Sequence, residues 1–299
     1  MKSAKLGAAL AFSAGACWGI MGVTAQYLFE FFSFTAEGLV ALRLIAGGLL
    51  ILAFEALWFR KDILGPMRDP HNRRDIFFYG LGTGLMQYTF FLAIAASNAG
   101  TAAVLSGAIP LFLLLWQVRA EHRPPRVIEL VCVLLAAFGI TLLVTKGSLD
   151  ALDFSVTGVA MGLVSALCGA FCSIEPQRVL RRVSPVLVTG WGLFLGGLLI
   201  LAAAPGGLAN GIWSLRSLLC VLVVVVVGTV TAFVCYLTSL RLITAPTAGL
   251  LSCSEPLTAV VFTALVLGTR FEPMELVGAA CIVGCVLLVD KTACSRKSA

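Results

Sequence analysis

Apolar residues run through this chain in blocks of about 20, separated by short polar stretches. Ten blocks can be traced, roughly 6–29, 35–58, 76–96, 101–119, 127–145, 156–176, 185–204, 217–239, 245–267 and 274–290. A helix of that length crosses a hydrocarbon core about 30 Å thick. The run LLCVLVVVVVG (218–228) has the β-branched content of a strand. Inside a bilayer, however, only helices and closed barrels satisfy every backbone polar group, and the blocks are too long for barrel strands. The pattern predicts an all-α membrane protein with ten transmembrane helices. Composition supports it, with 60% hydrophobic and 12% charged residues, against about 25% charged in a soluble domain.

The charges sit between the blocks. With a cytoplasmic N-terminus, 17 of the 21 basic residues fall in inside segments, among them Arg60, Lys61, Arg119, Arg178 and Lys291. Three, Lys146, Arg216 and Arg270, fall outside, and Arg43 alone lies within a span. By the positive-inside rule this predicts a multi-pass protein of the cytoplasmic (cell) membrane with both termini cytoplasmic. The net charge of +6 is a membrane-surface signal, so no nucleic acid is expected. MKSAKLGAALAFSAGACWG resembles a secretory signal, with a basic start, an apolar stretch and small residues. It is expected to stay as the first span, because the repeat described next gives it a twin deep in the chain.

LIAGGLLILA (44–53) recurs as LFLGGLLILA (193–202), with 8 of 10 residues identical. TAAVLSGAIPL (101–111) recurs as TAGLLSCSEPL (247–257), and IELV (128–131) as MELV (274–277). The spacings are 149, 146 and 146 residues. The chain therefore divides into two five-helix halves, 1–147 and 148–299. An odd number of spans per half makes the second half enter the membrane from the opposite side. Inverted repeats of this kind belong to secondary transporters, whose sites lie near the midplane between the repeats.

Three stretches carry a family resemblance: ACWG (16–19), ALRLIAGGLL (41–50) and SEPLTAVVFTALVLGTRFEPMELVGAACIVGCVLL (254–288). On these the chain resembles a ten-helix, EamA-type member of the drug/metabolite transporter superfamily, built from two EamA-like repeats. Thr269 stands where that family often has Glu, Ile109 replaces Glu at the first-half twin of Glu255, and Gly169 is the twin of Trp18. The resemblance implies transport of small metabolites, often export, with amino acids or related compounds first among substrates.

Candidate chemistry centres on Glu255, the one formal charge in the apolar run between Arg241 and Arg270. A charge at the bilayer centre costs about 2.5–3.5 kcal/mol on insertion scales. It is tolerable if it faces a wet cavity, meets a partner or takes a proton. Pro256 breaks the helix hydrogen-bond ladder beside it, and Pro110 is its twin. Glu255 either lines a transport cavity and carries a proton, or holds a static hydrogen bond that shapes the ninth helix. Trp18, Gln87, Tyr88, Ser106, Thr229 and Ser252 lie at similar depth and are candidate substrate ligands. Each hydroxyl alternatively bonds its own helix, and each aromatic alternatively packs. Arg43 either clamps an anion or snorkels outward to brace a neighbour. Glu175, beside Arg178, is a candidate interfacial pair or gate. Glu129 and Glu275 stand at helix starts and read as structural. GLGTG (80–84) lies within a span without a preceding strand, so it predicts close helix packing.

The cysteines read as small buried hydrophobes, and no metal or cofactor is expected. HExxH, GxSxG and paired intramembrane aspartates are absent from the sequence, so no enzyme is expected. The expected activity is alternating-access transport of small metabolites, with export of amino acids or related compounds first, driven by a proton gradient if Glu255 titrates and otherwise by facilitated exchange. A drug or lipophilic-cation efflux carrier is the alternative, and a non-transporting receptor or scaffold is the alternative of another class. The expected partners are a small-molecule substrate, protons and the lipid bilayer, and the chain is expected to work as a monomer.

Overall fold

The computed structural model of the chain describes residues 2–97, 99–145, 147–148, 155–203, 211–267 and 273–295. Among these residues the secondary structure is entirely helical. The first half holds α1 (Lys2–Phe32), α2 (Ala36–Leu57), a one-turn α3 (Gly65–Arg68) and α4 (Pro70–Ala96). α5 (Ala99–Ser106), α6 (Ile109–Ala120) and α7 (Val127–Thr145) follow. The second half holds α8 (Val156–Ile174), α9 (Pro185–Ala203), α10 (Leu215–Val225) and α11 (Ala232–Leu240), then α12 (Ala245–Leu251), α13 (Ser254–Leu267) and α14 (Pro273–Ser295). Lys146, Thr269, Arg270, Arg296 and Lys297 lie outside the described residues, as do the side chains of Glu275 and Lys291.

Local chemistry sets several of these boundaries. Thr35, Ser155 and Ser214 cap α2, α8 and α10 by accepting a backbone N–H of the first turn, which satisfies a donor that the helix leaves orphaned. Pro110 and Pro256 each fall in the first turn of a new helix, after a break at Gly107–Ala108 and at Ser252–Cys253. A residue without an N–H is tolerated there. The fourth and ninth apolar blocks are therefore split, into α5–α6 and α12–α13. The valine run joins α10 to α11 through a π-helical turn, Val226–Thr231. Thr229 and Thr231 donate to carbonyls five residues back, at 2.9 Å each.

Among the described residues, six helices, three in each half, are long and apolar enough to cross a membrane: Ser3–Phe32, Ala36–Leu57, Pro70–Ala96, Val156–Arg181, Pro185–Ala203 and Leu215–Leu240. Shorter apolar helices cover 104–120, 127–142 and 276–285. Polarity is arranged as lipid requires. Leu134, Leu167, Leu219 and Leu222 face outward and are more than half exposed, while Arg43, Thr83, Gln87 and Thr189 are buried.

Glycines set how closely the helices approach. A Cβ on Gly197 would touch Leu44 and Ile45, whereas one on Gly190 would touch Ile51 and Leu52. α2 and α9 therefore run antiparallel. α7 and α14 do likewise: Gly139 meets Gly278 and Cys281, and Cys285 Sγ lies 3.2 Å from the carbonyl of Cys132. Gly80 and Gly84 lie against the backbones of Gly192 and Gly196. GLGTG is thus close packing between α4 and α9. Gly15 and Gly19 meet Ser252 and Glu255 in the same sense along α1 and α12–α13. In parallel, Gly162 and Gly169 of α8 meet Leu105 and Ile109 of α5–α6.

Candidate functional site

Exchanging each half for the other leaves the packing scheme unchanged. α1 packs on α12–α13 as α8 packs on α5–α6, and α4 packs on α9 as the α10–α11 helix packs on α2. At the centre of this scheme lies a cavity of about 650 Å³, its mouth included.

The wall is built largely from twins. Trp18 and Gly169, 151 residues apart, both line it, as do Met21 and Cys172 at the same spacing. Ser106 pairs with Ser252 and Ile109 with Glu255, each 146 residues apart, and all four line the wall. The 146-residue spacing also pairs Gln87 with Phe233 and Phe90 with Tyr236, again all on the wall. The cavity therefore sits on the seam where the halves exchange. Its two sides are chemically unlike: one member of a pair supplies an indole, an amide or a carboxylate, and its twin supplies hydrogen, phenyl or alkyl.

Five of the residues singled out from the sequence come together here: Trp18, Gln87, Ser106, Ser252 and Glu255. The two proline breaks deliver Ser106 and Ser252 to the wall. Each hydroxyl donates to its own helix, Ser106 to Ala102 at 3.0 Å and Ser252 to Gly249 at 2.8 Å. What each offers the cavity is therefore an acceptor lone pair. The backbone N–H of Glu255 bonds the carbonyl of Ser252 at 3.0 Å across the break. Trp18 packs against Phe233 and Tyr236, with ring centroids 5.4 and 5.3 Å apart. Its indole N–H is buried without a partner.

Two candidates lie off the wall. The hydroxyl of Tyr88 turns to Glu37, 3.5 Å away at the start of α2. Thr229 is fully buried, where it donates to Val224 and accepts from Arg43 at 3.1 Å. The reason is geometric, since the π turn rotates Thr229 toward α2. Arg43 itself corrects an expectation. It does not snorkel outward but is fully buried. Its guanidinium donates to Gln87 Oε1 on α4, to Thr229 Oγ1 and, at 3.2 Å, to Met21 Sδ on α1. It also lies 4.7 Å from the ring centroid of Phe91. Arg43 lies on the face of α2 that packs against α1, α4 and the π turn, away from the face that carries Leu49, Leu50 and Phe54, so its side chain bonds what surrounds it. Glu175 is half-buried in the short 3₁₀ turn after α8, with Asp75, Arg74 and Arg178 as its charged neighbours. Asp75, itself buried, lies 3.4 Å from Arg74 and 3.8 Å from Arg182. Glu129 accepts both η nitrogens of Arg123 at the start of α7, at 2.8 and 2.7 Å, which fits its structural reading.

Sequence reasoning missed Tyr79, Met86, Phe90, Ser173, Phe233 and Tyr236. Phe233 and Tyr236 had a signal, because carrying the 146-residue spacing into the third and eighth blocks makes them the twins of Gln87 and Phe90. Ser173 and Tyr236 join α8 to α11 through a 2.8 Å hydroxyl contact that no sequence spacing announces. Among the described residues, no three His, Cys, Asp or Glu side chains converge on a possible metal position.

Comparison with known proteins accords with this geometry. The chain is 32% identical to the uncharacterized inner membrane transporter YicL of Salmonella typhimurium, over 93% of this chain and 92% of that protein. It is 29% identical to the threonine/homoserine exporter RhtA of Escherichia coli K12, over 83% of this chain and 79% of that protein. A solved crystal structure of a protein 16% identical matches with a TM-score of 0.80, over 97% of this chain and 98% of its own; at that identity it speaks for the fold. The model of the EamA-like transporter family matches residues 5–145 and again 156–289. A multi-pass membrane protein with a central cavity, matched twice by one family model, is a transporter and not an enzyme; the chain belongs to the EamA-like transporter family of the drug/metabolite transporter superfamily.

Proposed function

We propose that this chain is a secondary transporter that exports small zwitterionic metabolites, amino acids first, by alternating access. In this reading residues 1–147 and 148–299 are inverted five-helix repeats that cross the membrane ten times, with both termini cytoplasmic, and the protein works as a monomer. The observation that carries the reading is the seam cavity, walled by twins from both halves and holding one carboxylate, Glu255. Antiparallel packing of α2 on α9 and of α7 on α14 supports the inversion. Rocking of one half against the other about this seam exposes the same residues first to one side and then to the other. The relatives named threonine/homoserine exporters support the substrate class.

Glu255 is the group we assign to proton coupling. It releases a proton when the cavity is wet and open, and it takes one when the cavity closes over an empty site. The test is flux of L-threonine and L-homoserine in liposomes holding purified protein, with an imposed pH gradient. Native protein is expected to move them in a gradient-dependent way, whereas Glu255→Gln loses that dependence. Proton-dependent flux that survives in Glu255→Gln removes the coupling role.

One observation favours a second reading, efflux of lipophilic cations. Trp18, Tyr79, Phe90, Phe233 and Tyr236 give the cavity an aromatic wall facing a carboxylate, and aromatic faces attract cations. Tetraphenylphosphonium that is carried, and that competes with threonine, would support it.

A further inference from the structure

Two opposite charges border the cavity, and the ion pairs among the described residues include neither of them. Glu255 lies on the wall itself. Arg43 lies one layer behind, fully buried, touching the cavity through Gln87 and Met21. A buried charge demands compensation. Among the described residues, the hydrogen-bond acceptors of this guanidinium are all neutral, two oxygens and a thioether, with a phenyl ring beside it.

The chemistry of the Arg43–Gln87 contact fixes the amide. A guanidinium has five donors and no acceptor. The amide atom facing Arg43 is therefore the oxygen. The amide NH₂ of Gln87 is then left as a donor on a cavity residue, and no described residue accepts from it among the hydrogen bonds of the structure. Trp18 adds a second donor, an indole N–H on a side chain only 8% exposed and without a partner. An indole N–H can only donate. One unanswered donor, the Gln87 amide, thus stands on a cavity residue and is backed by a buried cation; a second, the Trp18 indole N–H, is buried within the same wall without a partner, and the other half adds a carboxylate.

We infer that Gln87 and Trp18 form a receptor for the carboxylate of the substrate. Arg43 is the positioning residue that turns the amide and supplies the balancing charge, and Glu255 receives the substrate ammonium. The ligand class is a zwitterion that carries both groups, an unblocked α-amino acid. This inference rests on the amino-acid reading proposed above and adds which end of the substrate meets which residue. A lipophilic cation would leave both donors unanswered, so the arrangement also separates the two readings.

The experiment uses purified full-length protein in liposomes with three probes: L-threonine, L-threonine methyl ester and N-acetyl-L-threonine. The ester lacks the carboxylate and the acetylated form lacks the ammonium. For native protein, threonine is expected to outcompete either derivative by about tenfold or more, the range for hydrogen bonds to a charged group. Gln87→Glu places a carboxylate against Arg43, which favours folding, but it removes the donor. Its discrimination between threonine and the methyl ester is expected to disappear or reverse. Trp18→Phe keeps an aromatic ring against Phe233 and Tyr236 and removes only the N–H. It is expected to weaken threonine about tenfold and to leave the ester unchanged. A purely structural role for these residues would lower all three probes together. Threonine flux with unaltered discrimination in Gln87→Glu and Trp18→Phe overturns this inference alone. Absence of flux of any amino acid by native protein overturns the functional reading and this inference with it.

Discussion

Gly48 offers the sharpest test of the seam between α2 and α9. A Cβ at this position would lie 2.6 Å from the backbone nitrogen of Phe194 and 2.8 Å from the carbonyl oxygen of Gly190. Ordinary contact begins near 3.4 Å. Both neighbours are main-chain atoms of a helix, so neither can rotate away. The helices must part by roughly 0.6–0.8 Å, and a gap of that size forfeits a quarter to a half of each nearby contact. Gly48→Val adds two further carbons at the same place. Overpacking costs about 1–3 kcal/mol, and backbone neighbours put this site at the upper end. Better helix propensity returns only about 0.3 kcal/mol. The net loss of about 2–3 kcal/mol lowers the melting temperature by about 4–8 °C, read as loss of monodisperse protein on heating in detergent. The twin substitution Gly197→Val meets the backbone nitrogen of Ile45 at 2.8 Å and should behave alike. Gly22 has nothing within 4 Å of its Cβ, so Gly22→Val should leave stability unchanged or slightly higher. Equal melting temperatures for Gly48→Val and Gly22→Val would refute the close packing of the seam.

Further predictions follow from the cavity and from the helix ends. Ile109 and Glu255 are twins on one wall, so Ile109→Glu introduced into Glu255→Gln should restore part of the proton-dependent flux in liposomes. A folded double variant with no recovery would show that the carboxylate works from one side alone. Asp69 caps α4 by accepting the backbone N–H of His71 at 2.9 Å, and that bond holds its carboxyl below the usual range. A depressed value means stability present above the unfolded pKa, about 3.9, and lost as pH falls through the folded one. Asp69→Ala should therefore melt below native at neutral pH, and the difference should close below about pH 4. A difference that persists at lower pH would place the effect elsewhere.

Much of the fold was legible because lipid allows few options. The apolar blocks foretold helices with boundaries close to those seen, and even LLCVLVVVVVG became helix despite its strand-like composition. Its valines are accommodated with a π turn, Val226–Thr231, at which Gly228 lies against Met21, a tertiary contact that block-reading does not show. The proline breaks were legible in position, and so was the depth of Trp18, Gln87, Ser106, Ser252 and Glu255. Depth alone does not say which way a side chain points around its helix. Tyr88 and Gln87 are adjacent, yet one faces Glu37 and the other the cavity. Thr229 sits at the right depth but is turned from the cavity by the π turn. Arg43 was the hardest to read, because its partners come from α1, α4 and the π turn.

The burial of Arg43 bears on how the protein is made. Its helix leaves the ribosome early with a charge worth about 2.5–3.5 kcal/mol against insertion. Met21 has already been synthesised and Gln87 follows soon after, but Thr229 lies 186 residues downstream. At about 5–20 residues per second, that hydroxyl arrives some 10–40 s later. Until then the nascent N-terminal half carries a guanidinium that its own residues satisfy only in part. Final seating of the second helix is therefore a late event of biogenesis, completed only when the C-terminal half has entered the bilayer.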